Sequence, residues 1–246
     1  MTDIVLPHIL SFMIATFAGA VVAGMSGFAF GLVASAIWLH VITPAQSAPL
    51  IAAFAIIINA WAVWKLRHVI EPRQILPQFA GGAIGIPLGA AALWWMPAAE
   101  MRASIGFLSI ALGIWGLLKP GLRPIRGGPV SDSLVGLASG VLGGSTGLVG
   151  IPPTIWTTLR GWSKDRQRAV LQPAAFATFV LTLAWFGGTG GIDADTVRLF
   201  FIGLPPLLLG TWLGMKLYGV LDEAAFRRLI LGLLLCSGVA LALGNP

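Results

Sequence analysis

Hydroxyl groups set among glycines are the residues of this chain best suited to chemistry. Ser26 stands in Gly24-Met25-Ser26-Gly27, and Ser145 and Thr146 stand in Gly143-Gly144-Ser145-Thr146-Gly147. Glycine lets a ligand approach the backbone because it has no Cβ, and hydroxyls with nearby N–H groups can replace the hydration of an anion. The same hydroxyls can instead bond the backbone at a helix end, and the same glycines can let helices pack closely. Packing is the simpler role for Gly31, Gly85, Gly89, Gly210 and Gly214. Asn59 and Gln172 place carboxamides inside apolar stretches, where either a neighbouring helix or a substrate path must partner them. Gln172 precedes Pro173 at a point suited to a kink or to lining a path. Arg168, at the entry to the same stretch, either draws anions to a mouth or only sets topology. The candidate substrate-binding residues are therefore Gly24, Ser26, Gly27, Gly143, Gly144, Ser145, Thr146, Gly147, Asn59, Arg168 and Gln172.

Other chemistries find less support. Gly24-Met25-Ser26-Gly27 also spells a Gly-x-Ser-Gly motif like the nucleophile of rhomboid-type intramembrane proteases. That reaction needs a histidine base on a later helix. The three histidines, His8, His40 and His68, lie near the ends of apolar segments, and none follows His68. They share no metal-ligand spacing, and Cys236 is the single cysteine, so neither a metal, another cofactor nor a disulfide is expected. No Gly-x-x-x-x-Gly-Lys-Ser/Thr loop is present for ATP-driven work. No Asp or Glu falls in the middle of an apolar segment, where proton and sodium pumps keep their relays. An enzyme is not expected; a non-transporting membrane scaffold is the remaining alternative to a transporter.

The elements that must position these residues follow from charge. Only 10% of the 246 residues are charged, 57% are hydrophobic, and mean hydropathy is +0.90. A soluble domain carries about a quarter charged residues. No charged residue occurs between Asp3 and Lys65, between Arg73 and Glu100, or between Arg168 and Asp193. Gaps of this size reach or exceed the roughly 17–25 residues that cross a bilayer as a helix, and no alternating pattern suggests a β-barrel. The expectation is an all-α, polytopic membrane protein, with no leader peptide because Met1–Pro7 has no basic residue. Eight apolar segments span roughly 4–40, 45–64, 75–95, 101–118, 133–159, 169–186, 197–217 and 226–244. Tryptophans near their ends, Trp38, Trp61, Trp64, Trp94, Trp95, Trp115, Trp156 and Trp185, read as an interfacial belt.

Thirteen of the fifteen basic residues fall in four connections, at 65–73, 119–126, 160–168 and 216–228. The positive-inside rule places all four in the cytoplasm, so the net charge of +6 reports topology and no nucleic-acid partner is expected. Segment 133–159 then has both ends on one side. Either it is a re-entrant hairpin broken at its glycines, or it is one long tilted helix that breaks the charge rule. Segment 4–40 is too long for one crossing and breaks at Gly24–Gly27. The expected topology is both termini outside, six spanning helices and two hairpins.

The chain also repeats. Residues 85–113 align without gaps with 210–238, pairing Gly85 with Gly210 and Gly89 with Gly214. The glycine breaks align as Gly24, Gly27 and Gly31 with Gly140, Gly143 and Gly147. Each half, 1–126 and 127–246, reads as a hairpin (4–40 or 133–159) plus three spanning helices within a single membrane domain. An odd number of crossings gives the halves opposite orientation, an inverted-topology repeat. Such folds hold substrate near the midplane, where broken helices present positive dipole ends to an anion.

The run Gly136-Leu137-Ala138-Ser139-Gly140-Val141-Leu142-Gly143-Gly144-Ser145-Thr146-Gly147-Leu148-Val149-Gly150-Ile151-Pro152, with Arg168-Ala169-Val170 after it, resembles the glycine-rich signature of the TauE/SafE sulfite exporter family. With the Gly24–Gly31 copy, the resemblance covers nearly the whole chain. It implies a permease of the bacterial inner (cytoplasmic) membrane that moves small sulfur-containing anions such as sulfite, sulfonates or sulfoacetate. The expected partners are that small anionic substrate and the lipid bilayer, with self-association left open. The sequence departs from the family pattern where the glycine run thins to Met25-Ser26-Gly27-Phe28 and Gly144-Ser145-Thr146-Gly147.

Overall fold

The computed structural model describes residues 2–27, 29–66, 72–93, 95, 98–118, 125–162, 164–218 and 220, and positions 232, 235, 236, 238 and 239 of the last stretch. The described residues form helices and the turns between them, with no strand among them. The elements are α1 (Thr2–Ser26), α2 (Phe30–Trp38), α3 (Pro44–Leu66), α4 (Pro72–Leu93), α5 (Ala98–Leu118), α6 (Pro129–Thr146), α7 (Ile151–Leu159), α8 (Lys164–Gly188) and α9 (Ala194–Tyr218). Five of them, α1, α3, α4, α8 and α9, contain stretches long and apolar enough to cross a membrane. Large apolar side chains such as Leu10, Ile84, Leu88, Phe201, Leu209 and Trp212 are more than half exposed. In water such a surface would aggregate; against lipid it is the required outer face.

Proline sets several starts. Pro44, Pro72 and Pro129 open α3, α4 and α6, where the missing N–H would be unpaired anyway. At α6 the Gly128 N–H donates to Ser131 Oγ at 2.9 Å, and that hydroxyl donates back to the Gly128 carbonyl at 2.8 Å.

The helices cluster into two compact units, one of residues 1–47, 96–120 and 194–246, the other of 48–95 and 121–193. Each takes helices from both sequence halves.

In the first unit α2 folds back along α1. Phe30 lies against Gly19, and Trp38 stacks on Phe12 with centroids 4.9 Å apart. The Trp38 indole N–H donates to the Phe12 carbonyl at 3.3 Å, and the side chain is fully buried. Trp38 is therefore no part of an interfacial belt, as its place near a segment end suggested: the hairpin turns it onto the middle of α1. Trp61, Trp64, Trp95 and Trp185 are exposed as a belt requires, and Trp94 lies outside the described residues. Along its other face α1 meets α9 through small residues. A Cβ on Gly210 would stand 2.6 Å from the Phe17 carbonyl oxygen, and one on Gly214 would strike that of Val21. Gly238 packs against Gly106 and Ile110 of α5 in the same way.

In the second unit α4 and α6 share a longer glycine seam. Gly81, Gly85 and Gly89 of α4 lie on the backbone of α6 at Ser133, Leu137 and Val141; Gly136, Gly140 and Gly144 of α6 lie on that of α4 at Gln78, Gly82 and Ile86. Close backbone approach of this kind is how helices associate where lipid removes the hydrophobic drive. α8 runs beside α4, with Gly82 facing Thr178 and an apolar cluster joining Ala90, Phe186 and Ala48 of α3.

Candidate functional site

Both glycine breaks are turns of helical hairpins. In the second, Gly127 lies against Trp156, Asp132 bonds Trp156, and Ser139 donates to the Val149 carbonyl, so α7 returns antiparallel to α6. The short legs α2 and α7 have nine residues each, the long legs α1 and α6 have 25 and 18. At 1.5 Å per residue the short legs reach about 13 Å, roughly half of a hydrocarbon core.

The turns share one chemistry. Gly27 and Gly147 have φ of 85° and 76°, a left-handed geometry that costs other residues dearly. Each closes the preceding helix, the Gly27 N–H donating to Ala23 O at 2.6 Å and the Gly147 N–H to Gly143 O at 2.9 Å. The residue before each glycine carries a hydroxyl that accepts an N–H from the turn: Ser26 Oγ from Ala29, Thr146 Oγ1 from Leu148, both at 3.3 Å.

Gly27 therefore corresponds to Gly147, Ser26 to Thr146 and Gly24 to Gly144, one turn from the alignment expected by glycine spacing alone. The helix seams agree. Gly144 meets Ile86 and Ala90 where Gly24 meets Thr211 and Met215, and Gly85 meets Leu137 and Val141 where Gly210 meets Phe17 and Val21.

The remaining candidates fall as follows. Ser145 Oγ donates to Val141 O at 2.8 Å, and Thr146 Oγ1 to Leu142 O at 2.7 Å. Gly24 and Gly144 face the backbones of α9 and α4 respectively. Gly143 faces Val149 and Thr182, and Gly147 faces Ile51 and the Ala48 carbonyl. The second tip is thus enclosed within its unit by α3, α4 and α8. Pro152 and Pro153 begin α7 and have no N–H, which leaves the turn residues as the backbone donors there. Asn59 is buried, and its amide N–H donates along its own helix to Ala55 O at 2.8 Å. Its Oδ1 is buried without a partner. Gln172 is buried on α8. Arg168 lies in the first turns of α8, and its side chain is outside the described ones. Among the histidines, His8 and His40 are exposed, and His68 lies outside the described residues. No group of three potential metal ligands occurs among the described residues.

Sequence reasoning missed two features. Gln78 is buried at 3% exposure with no partner for Oε1; its signal was an amide in an apolar stretch, as for Asn59. The second is a bonded set at the base of the second hairpin. Asp132 Oδ1 accepts from Trp156 Nε1 at 2.7 Å and from Arg160 at 3.2 Å. The Arg160 and Arg166 guanidiniums stand 4.5 and 4.6 Å from the Trp162 ring centroid. These charges read in sequence only as topology signals, because nothing local shows that residues 132 and 160 meet.

No curated protein and no solved structure matches the chain. The sequence profile of the family described as Sulfite exporter TauE/SafE matches residues 11–241. With its long apolar helices and that match over nearly its whole length, the chain belongs to the sulfite exporter TauE/SafE family, a family of membrane transporters for sulfite-type anions.

Proposed function

We propose that the protein is a secondary transporter or facilitator that moves sulfite or a small organosulfonate such as sulfoacetate across a bacterial inner membrane. Two inverted repeats carry it, and the glycine turn of each hairpin offers an anion site within its own unit. The observation that carries this reading is the matched chemistry of the two turns: a left-handed glycine, a hydroxyl before it, and the start of a short helix after it. Helix starts favour anions through their positive dipole end, and at the second turn, where Pro152 and Pro153 lack an N–H, the turn residues supply the backbone donors. No lysine or arginine is required inside a segment, in keeping with the uncharged stretches. The Ser145 hydroxyl would turn from the Val141 carbonyl to the anion, since hydroxyl rotors reorient freely.

The test is a thermal-shift and calorimetric screen of purified protein against sulfite, sulfate, thiosulfate and two-carbon sulfonates. A bound anion raises the melting temperature by mass action. Ser145→Ala should keep its fold and weaken the binding about tenfold or more, the loss of a hydrogen bond to a charged ligand. Wild-type affinity in a well-folded Ser145→Ala protein would place the anion elsewhere.

A further inference from the structure

Three buried carboxamides lie at one depth in the second unit. Ala48 of α3, Ala90 of α4 and Phe186 of α8 meet in one cluster beside the second hairpin tip. α3 and α4 run oppositely: Ala48, near the start of α3, meets Ala90, near the end of α4, while Leu66, which ends α3, and Pro72, which begins α4, are six positions apart in the chain. α4 and α8 run together, because Gly82 faces Thr178 and Ala90 meets Phe186. At about 1.5 Å per residue, Asn59, Gln78 and Gln172 lie about 16 to 21 Å from that cluster, within one helical turn of each other in depth. Their exposures are 3%, 3% and 6%. Asn59 Oδ1 and Gln78 Oε1 have no partner, and the bond from Asn59 Nδ2 to Ala55 fixes its oxygen as the free atom.

This depth is the basic end of the unit. Gly136 of α6 packs on the Gln78 backbone, and the base of the hairpin follows. Among the described residues the charged ones beyond it are Lys65 on α3, Arg73 on α4, Arg126 before α6, Asp132 on α6, Arg160 after α7, and Lys164, Asp165, Arg166 and Arg168 on α8. Asp132 is bonded to Trp156 and Arg160.

We infer that Asn59, Gln78 and Gln172 form a neutral binding layer, a second station on the basic side, that takes singly charged, protonated oxyanions such as hydrogen sulfite. This rests on the transport reading in its sulfite form and names the ionic form of sulfite that is carried. No described side chain at this depth is a lysine or arginine that could offset a double charge, and the cost of desolvating an ion grows steeply with its charge. A carboxamide offers both N–H and C=O. A hydrogen oxyanion presents bare oxygens to the N–H groups and one O–H to the unpartnered carbonyl oxygens. A fully ionised anion would leave those oxygens unmet and repelled.

The experiment uses the full-length protein in nanodiscs, with calorimetry of sulfite below and above its second ionisation. Sulfate serves as a dianion, and methanesulfonate as a monoanion without a proton to give. The affinity for total sulfite should fall about tenfold per pH unit above that ionisation, because only the protonated fraction competes. Methanesulfonate, with no proton to give the carbonyl oxygens, should bind more weakly than hydrogen sulfite and with an affinity that stays constant with pH, and sulfate should not bind. Gln78→Met and Asn59→Leu should keep or raise the melting temperature, since an unpartnered polar atom is removed, and should weaken hydrogen sulfite binding about tenfold or more. A parallel fall for methanesulfonate would trace the pH effect to the protein and not to the anion, and would overturn the inference. So would sulfate binding as tightly as sulfite, wild-type affinity in both variants, or unfolding of both, which would make the carboxamides structural. Failure of the wild-type protein to bind any of the three anions would instead sink the transport reading.

Discussion

Gly147 and Gly190 share a left-handed backbone, with φ of 76° and 73°, but not a neighbourhood. A Cβ at Gly190 meets nothing within 4 Å, whereas one at Gly147 would stand 2.8 Å from two carbons of Ile51. Gly190→Ala should therefore cost only the backbone penalty, about 1–2 kcal/mol. Gly147→Ala should cost that and the displacement of a fully buried isoleucine. Thermal unfolding of the two variants checks this; equal losses would mean that the turn tolerates a methyl group against α3. The hydroxyls at these turns were legible as residues of interest because they interrupt glycine runs. Which of them correspond was not: glycine spacing aligned Gly27 with Gly143, and only the backbone twist paired it with Gly147.

At the scale of the element, the hairpins are held shut at different places. The first is closed by an indole, Trp38 on Phe12. The second is closed at its base by Asp132, which holds both Trp156 and Arg160. Asp132→Asn keeps an oxygen for the indole N–H and loses the charge that faces Arg160. The expected loss is about 1–3 kcal/mol, that of a hydrogen bond to a charged group. Transport in proteoliposomes should persist, since no carboxylate relay is placed in the segments. Asp132→Ala should cost more by leaving a partly buried guanidinium unpaired. Melting temperatures in nanodiscs and anion flux in proteoliposomes separate these outcomes; an Asp132→Asn protein that folds and binds but cannot transport would make the carboxylate part of the coupling. The glycine seams belong to this scale as well. Gly144 had the spacing of a ligand cradle, yet its open side rests on the α4 backbone. Gly144→Val should reduce folded protein before any effect on affinity is measurable, because backbone cannot yield as a flexible side chain does.

For the whole molecule the charge pattern makes a prediction about sidedness. With Cys236 replaced, a cysteine at position 67 and one at position 163 should both label from the cytoplasm, and the termini should label from the opposite face. Periplasmic labelling at 163 with cytoplasmic labelling at 67 would turn the second hairpin into a crossing. Membrane residence, helical class and family could be read from the chain alone, because the cost of a charge or an unpaired backbone group in lipid writes long uncharged stretches into the sequence itself. The hairpins could be placed for the same reason, since glycine and proline interrupt those stretches wherever the helix must stop. Partnership could not. α1 packs with α9 and α4 with α6, each across the sequence halves, so the two compact units are built by exchange. That choice rests on which small-residue faces fit against one another, and a chain in which glycine occurs 32 times offers many such faces. The burial of Trp38, the bond from Asp132 to Arg160 and the shared depth of Asn59, Gln78 and Gln172 follow from it. They are contacts and levels between segments far apart in the chain, which local sequence does not encode and tertiary packing alone decides.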